Sequence, residues 1–407
     1  MCKRMLHPGD CCALVLLILI CARLSAEATG PADEWVDEAT GHRVIRLSRR
    51  DGSNWTFYFH QNPFTAEGDN MVFVGSTERG RGAFTVDLRT LEVRTLVTDR
   101  NIGFEVVAPK RRELFYLSGD TVCATHIDTG RTREICKVPE AYLSGRGFSV
   151  NADETLLLGC YAQGEAAFYT LPREEWIVNI FEAKLPNALY TIDIESGAIQ
   201  EFYHGNAWLG HAQFSPTDPA QVEFCHEGPE RRLHRMWLIR TDGSDLRKLY
   251  PSSMPNTFVT HEFWDPDGTR VWFDLQIPRF FPKWRFLTNV IPPAIYLACV
   301  DTTTGETARY ARRGSQYSWH YNISPDGELL CGDGEGRDVR LTRSARWINL
   351  YRPEGGKLKV ERLCGMKNHS HDIAPNTHFT PDGKWVVFQS DIHGTPQVYA
   401  VQVTLSF

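Results

Sequence analysis

Short apolar runs punctuated by proline, aspartate and glycine organise the hydropathy of this 407-residue chain. One unit recurs: a polar or aromatic start, a PDG-like turn, an apolar strand, and a second strand pair around an Asp/Thr-Gly turn. Its clearest copies are HEFWDPDGTRVWFDL, YNISPDGELLCGDG and HFTPDGKWVVFQSDIHGTPQVYAVQV. Weaker copies are NPFTAEGDNMVFVGSTERGRGAFTVDL, FEVVAPKRRELFYLSGDTVCATHIDTGRTREI, FSVNADETLLLGC and QFSPTDPAQVEFCHEGP. They begin near Phe64, Phe104, Phe148, Phe214, Phe263, Ile323 and Phe379. Their spacing, roughly 40 to 66 residues, suits four-stranded blades with insertions. IDTGR, IESGA, RTDGSD, DTTTGE and RPEGGK put Gly where a tight turn between antiparallel strands needs positive φ.

The pattern predicts an all-β fold, a seven-bladed β-propeller forming a single domain over residues 30–407. The last copy has only three evident strands, while GHRVIRLS at residues 41–48 is a strand without a partner. That N-terminal strand is expected to complete the last blade and close the ring, removing an exposed sheet edge. Two insertions interrupt the rhythm. Residues 161–187 carry a short helical pattern. Residues 276–292 are aromatic and basic, and Arg279, Lys283 and Arg285 beside Phe280, Phe281 and Trp284 suit a lid over an anionic, ring-shaped ligand.

The first 29 residues place basic side chains before the apolar run Ala13 to Cys21 and then small residues around Ser25, Ala26 and Ala28. This is the order of a cleaved signal peptide, with an uncleaved anchor or lipoprotein as the alternative. The expected location is exported, periplasmic or secreted, with no membrane association after cleavage. Seven cysteines lie beyond that segment, without CxxC or zinc-finger spacing. Cys123 and Cys136 flank IDTGR and could face each other across a hairpin, or be small buried apolar residues like the rest. A formal net charge of -6 gives no general attraction to nucleic acid. No protein partner is implied.

Histidines recur ahead of the turns: His211 in GHAQFSPTDP, His261 in THEFWDPDG, His320 in SWHYNISPDG and His378 in NTHFTPDG. In a propeller, such positions converge on the mouth of the central channel. KNHSHDIAPNTHFTPDG adds His369, His371 and Asn376. His320 with two ligands from this stretch would make a mixed imidazole and oxygen set suited to Mn, Zn, Fe or Ni. No GxSxG elbow, phosphate-binding GxxxxGK[ST] loop or HExxH helix occurs. Cys225 and Cys331 lie within apolar strands, where burial makes a thiol inert.

THEFWDPDG, FCHEGPERRLHRMW, SWHYNISPDGELLCGDG and HFTPDGKWVVFQSD together resemble the oligogalacturonate lyases, and the similarity covers most of residues 40–407. The resemblance implies β-elimination that cleaves a 4-linked uronate without water. It implies His261 as the base, Arg235 assisting, and His320 among the ligands of a metal, Mn2+ or another divalent cation. The family's Gln-x-x-His-x-His pattern before the last turn is altered: counting back from Phe379, His371, Ala374 and Asn376 stand in those places. The expected metal set is therefore His320, His371, Asn376 and His378, and the expected substrate-binding set is His211, Arg146, Lys283 and Arg285. The partner is then a small anionic oligosaccharide. Alternatives are a lyase on another uronate oligosaccharide and a non-catalytic TolB-like binding propeller.

Overall fold

The computed structural model describes residues 33–145, 147–229, 233–251, 257–279, 293–312, 318–334, 337–338, 342–343, 347–370 and 372–403. The proposed signal peptide, Arg146, His371, Lys283 and Arg285 lie outside these residues.

Apart from the short hairpin of Arg337–Asp338 and Thr342–Arg343, the described strands form seven antiparallel units in chain order. Their first strands are Asn54–Trp55, Gly103–Ala108, Ser149–Val150, Leu209–Phe214, Phe258–Trp264, Tyr321–Ile323 and His378–Phe379. We call the units blades one to seven. Blades five and six are joined at their outer edges by one parallel bridge, Ala311 to Lys357. The seventh blade gains Arg43–Arg46, which pairs antiparallel with Gln397–Gln402 from Val44↔Val401 to Arg46↔Tyr399. The N-terminal strand thus closes the ring, as the sequence predicts. A further strand, Glu34–Val36, adds to that edge.

Between blades the core is aliphatic and aromatic. Val44, Phe388, Tyr399 and Val401 of the closing blade pack against Cys331, Ile348 and Leu363 of the sixth. All seven described cysteines are free. Cys123 stands opposite Glu134, and Cys136 opposite Val122, so the hairpin register pairs neither cysteine with the other. Cys225 and Cys331 are buried, and burial pushes both thiols up, Cys331 to about 12.

The first insertion is helical, as predicted: Arg173–Ala183 seats Trp176, Ile177 and Ile180 against Ala162 and Trp208. The second is described only to Arg279, which is exposed. Among the described residues no helix is long and apolar enough to cross a membrane.

One element has no counterpart in the sequence pattern. Blade one's first strand stops at Trp55, and pairing resumes only at the Phe64 to Met71 bridge. The intervening chain crosses to blades five, six and seven. The Thr56 N–H donates to Gln389 Oε1 at 2.9 Å, the Phe57 carbonyl accepts from His378, and the Phe59 carbonyl accepts from Asn322 Nδ2 at 3.1 Å. Fully buried Phe59 joins Phe263, Tyr321 and Ile323 in one cluster. The crossing loop is therefore fixed by packing and backbone hydrogen bonds together.

Candidate active site

The turn prolines give the site its grammar. Five residues before them stand Phe104, His211, His261, His320 and Asn376, ahead of Pro109, Pro216, Pro266, Pro325 and Pro381. In blades two, four and five this position sits in a bulge, where register shifts fall between Gly103 and Val106, Gly210 and Gln213, and Thr260 and Phe263. Phe104, His211, His261 and Asn376 all have positive φ, 62°, 48°, 57° and 47°. Such conformations cost non-glycine residues roughly 1–3 kcal/mol and concentrate at functional sites.

His378 does not belong to this set. It lies three residues before its proline, with Gln213 and Asn322 at the same place in blades four and six. All three side chains bind neighbouring backbone: Gln213 Nε2 donates to the Glu262 carbonyl at 3.0 Å, Asn322 Nδ2 to Phe59, and His378 Nε2 to Phe57 at 3.1 Å. His378 is 2 % exposed, and burial lowers it to about 4. The expected ligand is a neutral fastener for the crossing loop.

His261 and His320 meet edge to face, with ring centroids 4.9 Å apart. Each is oriented by a buried aspartate eight residues after its own turn proline. His261 Nδ1 lies 3.1 Å from Asp274 Oδ2, and His320 Nδ1 lies 2.6 Å from Asp333 Oδ2. With Nδ1 engaged, each ring keeps Nε2 for an incoming group. Asp274 also accepts from Arg312 Nη2 at 2.8 Å, while Asp333 Oδ1 accepts from the Trp319 N–H at 2.9 Å. The His261 side chain keeps 15 % of its surface, enough to be reached. Burial, helped by His320, holds His261 well below its ordinary 6.5, so the ring is neutral. Burial pushes Asp274 up to about 7, although Arg312 opposes the shift.

His211 Nε2 lies 3.3 Å from Glu227 Oε1. Glu227 takes Arg235 at 2.9 and 3.2 Å, and Arg235 reaches Glu262 through Nε at 2.5 Å and Nη2 at 3.4 Å. Four of the guanidinium's five N–H groups are committed, and Arg235 is 4 % exposed. Arg235 is expected from the sequence to assist at the substrate. Its guanidinium lies between Glu227, which reaches His211, and Glu262, which adjoins His261 in the chain. Burial raises Glu262, but Arg235 and His211 outweigh it and hold the group ionised; burial and Glu262 drive neighbouring Glu223 far up, leaving it protonated. Gly210 is required here, since a Cβ would fall 2.6 Å from Glu227 Oε1.

The crossing loop supplies residues that the repeat pattern does not reveal. The Tyr58 ring lies 5.7 Å from His211 and 5.3 Å from His320, and His60 lies 5.8 Å from His211. Burial and its neighbours His211, His378 and His320 keep His60 neutral. Asp274 and Asp333 carried a signal, the fixed offset from the turn proline; Tyr58 and His60 carried none.

Of the expected metal set, His371 lies outside the described residues. Among the described residues no three His, Cys, Asp or Glu side chains gather into a metal site. His320, its Nδ1 held by a buried carboxylate, has the orientation of an imidazole ligand. His369 is buried between Ser390 and the Ile373 carbonyl, both at 2.8 Å, and Asn376 lines a cavity with Tyr58 and Arg81.

A family model described as oligogalacturonate lyase matches residues 32–334. An oligogalacturonate lyase of Dickeya dadantii is 26% identical over 388 residues, covering 90% of this chain and 95% of the relative. An oligogalacturonide lyase of Pectobacterium atrosepticum shows the same identity and coverage. Among solved structures, an oligogalacturonate lyase in complex with manganese superposes with a TM-score of 0.77 at 26% identity, covering 92% of this chain and 96% of that one. An oligogalacturonate lyase from Vibrio parahaemolyticus, at 24% identity and TM-score 0.77, shares the fold. With the family model spanning most of the described propeller, this chain is an enzyme that belongs to the oligogalacturonate lyase family.

Proposed function

We propose that the protein cleaves short oligogalacturonates by β-elimination, with His261 as the base. The observation that carries this reading is the His261–Asp274 pair, a neutral, partly reachable imidazole whose tautomer is set by a buried carboxylate. The C5 proton of a 4-linked uronate is weakly acidic because it lies α to a carboxylate. His261 Nε2 takes that proton while Nδ1–H stays on Asp274. The C4–O bond then breaks, leaving a C4–C5 double bond on one sugar, and the proton taken up by His261 passes to the departing oxygen, which leaves as a hydroxyl on the other sugar. Proton and charge then balance without water being consumed.

Removing this proton places added negative charge on the substrate carboxylate, which must be met by positive charge. A divalent cation, present as manganese in a solved relative, supplies that charge when bound. In this chain His320 is the residue prepared to hold it, with His371 as the second ligand. Lys283, Arg285 and Arg146 serve the substrate's other carboxylates. Tyr58 and His60 wall the site on the side of His211 and exclude water.

The test is ultraviolet absorbance of unsaturated uronate on short oligogalacturonates, before and after chelation and manganese re-addition. A signal that chelation removes and manganese restores supports the whole reading. A signal indifferent to chelation removes the metal from it, and no signal on galacturonates alone redirects it to another uronate. Export to a periplasm or the medium fits the basic, apolar and small-residue order of the N-terminus, and sequencing the N-terminus of the protein recovered outside the cytoplasm checks it.

A further inference from the structure

Beside the histidines, between blades one, two and seven, lies a cavity of about 280 Å3. Tyr58 is the shared wall: its ring contacts His211 and His320 and also lines this cavity. Two of the lining residues carry a polar atom that has no partner among the described residues. Asn376 Oδ1 and Thr56 Oγ1 belong to residues 8 % and 4 % exposed, and both are buried without a hydrogen bond. An unsatisfied buried polar atom costs about 1–3 kcal/mol, so a ligand that donates to it recovers that loss.

The cavity also holds one partly committed cation. Arg81 donates to Glu105 Oε1 through Nε at 2.5 Å, which leaves its two Nη groups, and its side chain keeps 40 % of its surface. Arg81 makes the space unfavourable for a metal ion and favourable for a carboxylate. Thr56, Asn376 and Glu105 supply acceptors for hydroxyls, and Trp55 and Phe57 supply apolar surface. The volume lies just under the roughly 300–1,000 Å3 of sites for drug-sized ligands, a size for one sugar ring. One chemical class answers all three demands: a ring bearing several hydroxyls and one carboxylate.

We propose that this cavity is a second uronate subsite, with Arg81 on the carboxylate of a sugar neighbouring the one that reacts, and Thr56 and Asn376 accepting its hydroxyls. It rests on the reading of the protein as an oligogalacturonate lyase.

The test is calorimetric titration of the His261→Ala protein with di- and trigalacturonate, alone and combined with Arg81→Met or Arg81→Lys. The third sugar is expected to tighten binding about tenfold in His261→Ala, to add nothing in Arg81→Met, and to recover part of its effect in Arg81→Lys. Melting temperatures separate a lost contact from a lost fold. An undiminished gain in Arg81→Met, or no gain from the third sugar in His261→Ala, overturns the subsite, whether or not the wild type cleaves. An Arg81-dependent gain in a protein whose wild type cleaves no galacturonate keeps the subsite and removes the lyase reading.

Discussion

Asp274 Oδ2 stands 3.1 Å from His261 Nδ1, on the strand paired with the one that carries the histidine. The bulge between Thr260 and Phe263 turns the histidine inward, and Asp274, opposite Thr260, meets it from behind. The same relationship recurs one blade later between Asp333 and His320 at 2.6 Å. A repeated scaffold has placed two imidazoles in one pocket with the same nitrogen engaged, so their remaining nitrogens can take different roles.

Asp274→Asn keeps the shape but presents Nδ1 with an amide in place of a carboxylate. We expect kcat to fall by about 10^2- to 10^4-fold with little change in KM, as for loss of a base's orienting partner. Steady-state kinetics on trigalacturonate measure it. Unchanged kcat would show that Asp274 does not set the tautomer.

The pH dependence follows from the same pair. Burial raises Asp274 to about 7 and lowers His261 well below 6.5, so the titration that matters is that of the aspartate. As pH rises through about 7, Asp274 ionises and takes the Nδ1 proton's hydrogen bond, freeing Nε2 as the base. kcat/KM should therefore rise with an apparent midpoint near 7, and this limb should be absent from the residual activity of Asp274→Asn.

Stability has a different pH dependence. His378 is lowered to about 4 in the fold by burial, against an ordinary 6.5. The unfolded chain binds a proton at this residue first, so its contribution is present above pH 6.5 and is lost as pH falls toward 4. The loss is about 3 kcal/mol. Thermal melting between pH 7 and 4 should show the decline, and His378→Gln should be less sensitive to pH over that window.

Arg235 is a test of clamp against catalyst. Its removal in Arg235→Met leaves Glu227 and Glu262 buried without their cation, a loss of about 3–5 kcal/mol. The melting temperature should drop by several degrees together with activity, and chemical shifts of the His211 and His261 rings should move. A variant that melts like wild type but has lost activity would return Arg235 to direct contact with substrate.

The propeller is legible in the chain because PDG-type turns and glycines at hairpin tips are local signals, and ring closure follows from one surplus strand. The histidines are legible as a recurrence, but His378 stands two residues closer to its proline than His211, His261 and His320, and its side chain binds the Phe57 carbonyl. Asn376 holds the equivalent place. Tyr58 and His60 escape the pattern because Thr56 to Pro63 leave the sheet and are held by blades five to seven, through contacts hundreds of residues away in sequence. Arg235 is recognisable as important, but its partners Glu227 and Glu262 converge on it only in three dimensions.

The central claim, that His261 removes the C5 proton, is tested most directly by unsaturated-uronate absorbance of His261→Ala on trigalacturonate beside the wild type. The account predicts a rising signal for the wild type and none for the variant, with matching circular dichroism and melting temperatures. Turnover by His261→Ala at a substantial fraction of the wild-type rate would contradict it.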